Sequence, residues 1–173
     1  FFGGEPLIKF HEIVKPIIEK GSEICNKYKK ELMVGITTNG VCLTPAVIKD
    51  LKKITDNIGI QVTLDGNKQI HDSVKFLKNG KGSYDTVKQN LIYAINNGVM
   101  TTIRCNYTLE NIDSFIDLLD DFSEYSKLPN VRCTCNKVWQ ENESKELQAK
   151  REQIRRIVVE KYGFKSNINS YNG

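Results

Sequence analysis

The sequence predicts an α/β fold in which a parallel sheet forms an open or partial barrel. Strand-like and helix-like segments alternate about five times along the chain, which is the signature of repeated βαβ units. With 173 residues the chain can build one domain with its own core, but a closed eight-unit barrel usually needs about 250. No stretch has the composition of a linker that would divide the chain into domains.

The spacing of apolar residues places the elements in order. Apolar residues that recur at helical spacing predict helices over 7–28, 45–54, 84–96, 112–122 and 144–162. Alternating or β-branched runs predict strands over 33–38, 58–65, 99–107 and 131–140. Asn39-Gly40 is a turn signal, and Thr44-Pro45 is typical of a helix start. A polar loop is predicted over 66–83.

Composition excludes several functional classes. The net charge of +4 is spread along helix faces and gives no support for nucleic-acid binding. No apolar run reaches the length of a membrane span. The five cysteines are odd in number and irregularly spaced, which favours a reducing, cytoplasmic setting. Cys133 and Cys135 share one strand face, where we expect buried side chains rather than metal ligands. The chain opens on Phe1 without an initiator Met, which suggests that it is cut from a longer protein.

Each predicted strand has one apolar face and one polar face. The polar faces carry Gln61, Thr63 and Asp65, then Thr102, Arg104 and Asn106, then Arg132, Thr134, Asn136 and Gln140. Buried polar groups without partners are costly, so we expect these faces to line a wet lumen that holds a polar ligand. The alternative is that Asp65 and Arg104 pair with each other.

The polar groups suit a zwitterionic ligand. Glu5 can accept hydrogen bonds from an ammonium, and Arg104 with the Thr63 hydroxyl can hold a carboxylate. The Gly3-Gly4 backbone lets a ligand approach closely. The residues therefore point to a molecule with an amino-acid head group. A conventional enzyme that uses Asp65 and His71 as acid and base is a second possibility, although His71 is expected to be solvated in its polar loop. The other histidine, His11, is expected at the surface.

Five motifs resemble those of radical S-adenosylmethionine (SAM) enzymes. They are Gly3-Gly4-Glu5-Pro6 after two aromatic residues of a buried strand tip, Thr37-Thr38-Asn39-Gly40, Thr63-Leu64-Asp65-Gly66 with His71-Asp72, Gly80-Lys81-Gly82-Ser83-Tyr84-Asp85, and Gly98 followed by Arg104-Cys105-Asn106. Their order and spacing are most similar to the peptide and protein maturases, which include anaerobic sulfatase-maturating and SPASM-type enzymes. The resemblance covers nearly all of residues 1–140.

The resemblance implies a partial (β/α)₆ TIM-like barrel without strand one and the cluster loop. Residues 1–140 would supply strands two to six, and 141–173 the final barrel helix with the start of a C-terminal extension. Gly3, Gly4, Glu5 and Pro6 would hold the methionine amino group of SAM, Thr63 and Arg104 its carboxylate, and Asn39 the site rim. Asp65 would be a candidate catalytic residue, and Asn106, Trp139 and Gln140 would border the substrate.

One departure separates the chain from the family pattern. The family binds its [4Fe-4S] cluster through C-x-x-x-C-x-x-C, and none of the five cysteines has that spacing. The resemblance therefore implies a core fragment, inactive alone and without metal ligands of its own. Its parent would cleave SAM to a 5′-deoxyadenosyl radical and abstract hydrogen from a peptide or protein, with flavodoxin or ferredoxin as electron donor and neither nucleic acid nor membrane as partner. The alternative is a cluster-free barrel that binds SAM or a peptide without radical chemistry.

Overall fold

A computed structural model describes residues 1–138, 140 and 142–166. Its strands form one sheet in the order β1 (Val34–Thr38), β2 (Ile58–Thr63), β3 (Met100–Tyr107), β4 (Val131–Lys137) and β5 (Lys165–Ser166). β1 runs parallel to β2, with Val34 opposite Ile58, and β4 runs parallel to β5. The predicted α/β fold with a parallel sheet is confirmed, and β5 is an addition that the sequence did not predict.

Within the part of the chain that the structure describes, six α-helices precede or connect these strands. They are α1 (Lys15–Lys27), α2 (Pro45–Ile54), α3 (Lys68–Val74), α4 (Tyr84–Asn96), α5 (Phe115–Asp120) and α6 (Lys145–Arg156). Side chains cap three of them: Thr44, Asn67 and Ser144 each accept a hydrogen bond from a backbone N–H in the first turn. Such caps satisfy N–H groups that lack an intrahelical partner. Within the described ranges, no helix combines the length and apolar character needed to cross a bilayer.

The predicted helix over 7–28 is not regular. It begins as a 3₁₀ turn over Pro6–Lys9, continues as a π turn over Phe10–Val14 and becomes α-helical at Lys15. Pro16 has no backbone N–H to donate, so it is tolerated in the first turn of an α-helix and not in its interior. The irregular turns change which side chains face inward: Phe10 and Val14 are buried, whereas Ile13 is exposed.

The chain divides into two compact units. The first comprises Phe1–Val62 and Thr86–Thr101, and the second comprises Thr63–Asp85 and Thr102–Gly173. In the first unit the apolar faces of β1 and β2 are buried, which was predicted for the strand over 58–65. Its core also contains apolar side chains of helices α2 and α4, namely Val47, Ile48, Leu51, Val87, Leu91, Ala94 and Ile95.

The turn after β1 requires glycine at position 40. Gly40 has a φ of +81°, which is costly for residues with a side chain. A Cβ there would lie 2.8 Å from one methyl carbon of Val62 and one of Val87. Asn90 holds the turn from the opposite side by donating a hydrogen bond to the Gly40 carbonyl (2.9 Å).

The second unit has an aromatic core. Its buried side chains come from β3, β4, helices α4, α5 and α6, and the segment that follows α5, and include Tyr84, Ile103, Phe115, Leu118, Phe122, Val131, Leu147 and Ile154. The Tyr84 hydroxyl donates a hydrogen bond to Asp121 (2.8 Å), which satisfies the polar end of a ring that is otherwise in an apolar setting.

The prediction that His71 is solvated in a loop is wrong. Residues 68–74 form helix α3, and His71 is completely buried. The Asp65 N–H donates to Nδ1 of His71 (3.3 Å), and Nε2 lies 3.0 Å from the Ser83 hydroxyl. Since Nδ1 accepts, the proton is assigned to Nε2, which donates to Ser83. Burial lowers the pKa of His71 below its usual 6.5.

Asp72 and Gly82 also connect two of the sequence motifs, the one that ends in His71-Asp72 and the one over residues 80–85. One oxygen of Asp72 accepts a hydrogen bond from the Tyr84 N–H (2.8 Å). A Cβ on Gly82 would lie 2.0 Å from the Asp72 carboxyl carbon, so only glycine fits. The histidine-aspartate pair therefore fixes the entry to helix α4.

Replacing Gly40 with alanine is expected to destabilise the chain by about 2–4 kcal/mol, because it adds backbone strain to a clash. Urea unfolding of the variant measures this loss. Gly59→Ala is the matched control, since a Cβ on that strand glycine meets nothing within 4 Å. Equal stability of the two variants would contradict the account of this turn.

The low pKa of His71 predicts a loss of stability under mild acid. Above pH 6.5 the side chain is neutral in both states, but as the pH falls below 6.5 the unfolded chain binds a proton first. The free energy of unfolding should therefore fall until the pH reaches the lower folded-state pKa.

Urea unfolding between pH 5 and 8 measures this slope. His71→Gln should flatten it, whatever the variant's absolute stability. His11→Gln is the control, because the His11 side chain is 66% exposed. An unchanged slope in His71→Gln would show that other groups cause the pH dependence.

Candidate functional site

The carboxylate of Glu5 is held at the carboxyl end of β1. The Thr38 hydroxyl donates to Oε1 (2.6 Å), and the Asn39 N–H donates to Oε2 (2.6 Å). The Leu7 N–H also donates to Oε1 (3.1 Å), so Glu5 caps the 3₁₀ turn that Pro6 opens. These hydrogen bonds join two of the sequence motifs and fix the orientation of the carboxylate.

Open space adjoins the glycine turn before Glu5. Gly3 and Gly4 have φ values of +93° and +56°, and a Cβ at either position would meet no atom within 4 Å. The Phe1 carbonyl accepts a hydrogen bond from the Thr37 N–H (3.0 Å), as in strand pairing. The expectation of a buried strand tip is nevertheless wrong, because Phe1 is 37% exposed and Phe2 is 84% exposed. The Phe1 ammonium also donates to the Gly35 carbonyl (2.5 Å), so the backbone of Phe1 is held beside β1 while both rings face solvent.

The half-buried Glu5 can still bind a cation. A carboxylate offers about four lone-pair sites, and the structure uses three of them. The Gly3-Gly4 turn, where a Cβ would meet no atom within 4 Å, directly precedes Glu5 in the chain. Asn39 is exposed, and its side chain accepts from the Val41 N–H (2.9 Å), which places it at the rim as a turn former.

Thr63 and Arg104 belong to the second unit and are both half-buried. Thr63 ends β2, and Arg104 lies on the polar face of β3. Nε of Arg104 donates to the side-chain oxygen of Asn106 (3.0 Å). Among the described residues, Asn106 is the one hydrogen-bond partner of the Arg104 side chain. Both terminal nitrogens of Arg104 therefore remain available for a carboxylate.

Asp65 does not pair with Arg104, which was the alternative raised by the sequence. Its carboxylate instead lies 3.0 Å from Nζ of Lys75, and its backbone N–H is bound by His71. Because both nitrogens of His71 are occupied by neighbours, an acid–base pair formed by Asp65 and His71 is not supported. Asp65 is half-buried at the end of β2, next to the predicted carboxylate site.

The residues expected to border a substrate differ in their surroundings. Asn106 is half-buried, and its backbone carbonyl accepts a hydrogen bond from Asn111 (3.1 Å). Gln140 is exposed, and Trp139 lies outside the described residues. The sequence did not single out Thr134, whose buried hydroxyl lacks a hydrogen-bond partner in the part of the chain that is described. The sequence signal that could have identified Thr134 is its position on the polar face of β4.

A cluster of three cysteines was also missed. Cys133 and Cys135 share a face of β4 and are buried, as predicted, but Cys105 of β3 joins them, and all three Sγ atoms lie within 4.8 Å of one another. Hydrogen bonds from the other two thiols hold the pKa of Cys135 well below its usual range. Contact between neighbouring strands brings these side chains together, which spacing along the sequence does not show.

This cysteine cluster does not fit the family's [4Fe-4S] group. In a cubane [4Fe-4S] cluster each thiolate binds a different iron atom. The ligand sulfurs therefore lie farther apart than the iron atoms that they bind. Sulfurs all within 4.8 Å of one another can surround only a single ion. The structure therefore assigns no iron–sulfur ligand to these residues.

Comparisons with known proteins identify the family and the fold. The family model described as the radical SAM superfamily matches residues 1–122. No curated protein sequence matches the chain. Among solved structures, anSMEcpe with bound AdoMet and the Kp18Cys peptide is similar at TM-score 0.73 and 15% identity, over 96% of this chain and 48% of that chain. This chain thus spans about half the length of that enzyme.

Two further structures share the fold. Streptococcus suis SuiB bound to S-adenosylmethionine has TM-score 0.65 and 17% identity, over 98% of this chain and 37% of that chain. A domain of pyruvate-formate lyase-activating enzyme from Bacteroides vulgatus has TM-score 0.64 and 15% identity, over 98% of this chain and 97% of the domain. These likenesses confirm the partial TIM-like barrel. Because the family model covers 122 of 173 residues, the chain belongs to the radical SAM superfamily.

Proposed function

We propose that the chain forms the SAM-binding and substrate-facing part of an enzyme that modifies a peptide or protein by radical chemistry. The observation that supports this most directly is the Glu5 carboxylate, oriented by Thr38 and Asn39 beside an open glycine turn. The remaining acceptor site of this carboxylate can accept a hydrogen bond from a cationic ligand. Membership of the superfamily makes SAM, with its ammonium group, the ligand of choice.

The chain's own residues bind and orient SAM. Glu5 accepts hydrogen bonds from the methionine ammonium, and the bare backbone at Gly3 and Gly4 admits the ligand. Arg104, aided by the Thr63 hydroxyl, binds the methionine carboxylate through charge-assisted hydrogen bonds. Asn106 holds the Arg104 guanidinium through Nε (3.0 Å), which directs its terminal nitrogens.

A cluster bound outside this sequence would supply the electron that splits SAM into methionine and a 5′-deoxyadenosyl radical, which abstracts hydrogen from the substrate. The proposed electron donor is flavodoxin or ferredoxin, and the proposed location is the cytoplasm. A peptide substrate is proposed because the order of the motifs resembles the maturases, and a similar structure holds a peptide. Asp65, Asn106 and Gln140 are the residues proposed to face it.

The complete polypeptide encoded around this chain should release 5′-deoxyadenosine from SAM under anaerobic, reducing conditions. Glu5→Ala should raise the KM for SAM about 10- to 100-fold, which is the effect of losing a hydrogen bond to a charged group. Chromatography with mass detection measures the product. Glu12→Ala is the matched control, since the Glu12 side chain is 67% exposed and pairs with Lys9 one turn before it.

The outcomes separate the two functions considered. Loss of SAM binding in Glu5→Ala, with Glu12→Ala unchanged, supports the assigned site. If a preparation with an intact cluster binds SAM but releases no 5′-deoxyadenosine, the proposed radical chemistry is contradicted. A binding module without radical chemistry would then account for the same geometry.

Arg104→Ala should also weaken SAM binding by about 10- to 100-fold, because the methionine carboxylate loses its charged partner. Isothermal titration of the complete polypeptide measures the affinity. Arg132→Ala is the control, since Arg132 is exposed on β4. If the two variants bind SAM equally well, Arg104 does not hold the carboxylate.

A further inference from the structure

The cysteine cluster of Cys105, Cys133 and Cys135 lies on the buried apolar faces of β3 and β4, and the residues Arg104 and Asn106 used above belong to the polar face of β3. Cys105 and Cys133 are completely buried, and Cys135 is 4% exposed. Buried cysteine often behaves as a small apolar residue. Two such side chains on one strand face need no further explanation, but three sulfurs that converge from two strands form a possible ligand set.

We propose that this cluster binds a single Cu(I) ion in trigonal coordination. With a metal–sulfur bond of about 2.3 Å, three sulfurs around one ion lie about 4.0 Å apart. The Sγ atoms already lie within 4.8 Å of one another, so small side-chain movements close the site. The ligands come from β3 and β4, whose backbones are fixed by the sheet.

The number and type of ligands select the ion. Thiolates are soft ligands that favour Cu(I) and zinc among common metals. Zinc in structural sites takes four protein ligands, and no further cysteine, histidine or carboxylate joins the cluster among the residues that the structure describes. Cu(I) is stable with three sulfurs. Binding exchanges thiol protons for the ion and leaves the oxidation states of sulfur and copper unchanged.

The three thiols are buried, and each uncompensated charge there is costly. A bound cation offsets part of the charge that the thiolates would otherwise carry. Cys135 is the most exposed of the three, at 4%, and lies near the carboxyl end of β4.

The test is an anaerobic titration of the 173-residue chain with Cu(I) against bathocuproine disulfonate as competitor. Cys25 and Cys42, which are only partly buried, are first replaced by serine to remove background thiols. We expect one equivalent of Cu(I) per chain. Cys135→Ser in that background should weaken binding by at least about 100-fold, since even second-shell changes at metal sites cost 10- to 100-fold.

X-ray absorption of the copper-loaded background chain decides the coordination and does not depend on the folding of the Cys135→Ser variant. Three sulfur neighbours at one distance support the site. No copper retained against the competitor, two sulfur neighbours, or unchanged affinity in a folded Cys135→Ser variant would overturn it. Tight binding of Zn(II) with exclusion of Cu(I) would also overturn it.

Discussion

The hydrogen bonds from Thr38 and Asn39 to the Glu5 carboxylate are the constraint on which the rest of the first unit's site depends. They attach the Gly3-Gly4 turn to the end of β1. Because the carboxylate is already oriented, a ligand cation does not have to order a flexible side chain when it binds. The left-handed Gly40 that follows lets the chain turn away at once, so the end of β1 stays open beside Glu5.

Local pattern was enough to predict most of the framework. The alternation in β2, β3 and β4 separates buried apolar residues from half-buried polar ones, and Thr44 caps helix α2 as its sequence suggests. Glu5 and Asn39 were proposed as site residues from the sequence. Their hydrogen bond to each other joins positions that are 34 residues apart, so only the structure shows it.

Sequence reasoning failed where long-range contacts decide the outcome. The segment with His71 contains polar residues and reads as a loop, yet Asn67 caps a helix there and Ser83 binds the buried imidazole. The cysteine cluster was missed for the same reason, since Cys105 is 28 positions before Cys133 in the sequence and meets it through strand packing. The π turn before α1 reflects Pro16, which the prediction of one helix over 7–28 does not take into account.

The central claim is that Glu5 binds the amino group of SAM and Arg104 binds its carboxylate. The most direct measurement compares the affinities of SAM and of an analogue that lacks only the amino group, for the complete polypeptide and its Glu5→Ala variant. The account predicts that removing the amino group weakens binding to the unmodified protein by about 10-fold or more and has little effect on the variant. An equal loss of affinity in both proteins would contradict it, because the amino group would then be bound elsewhere.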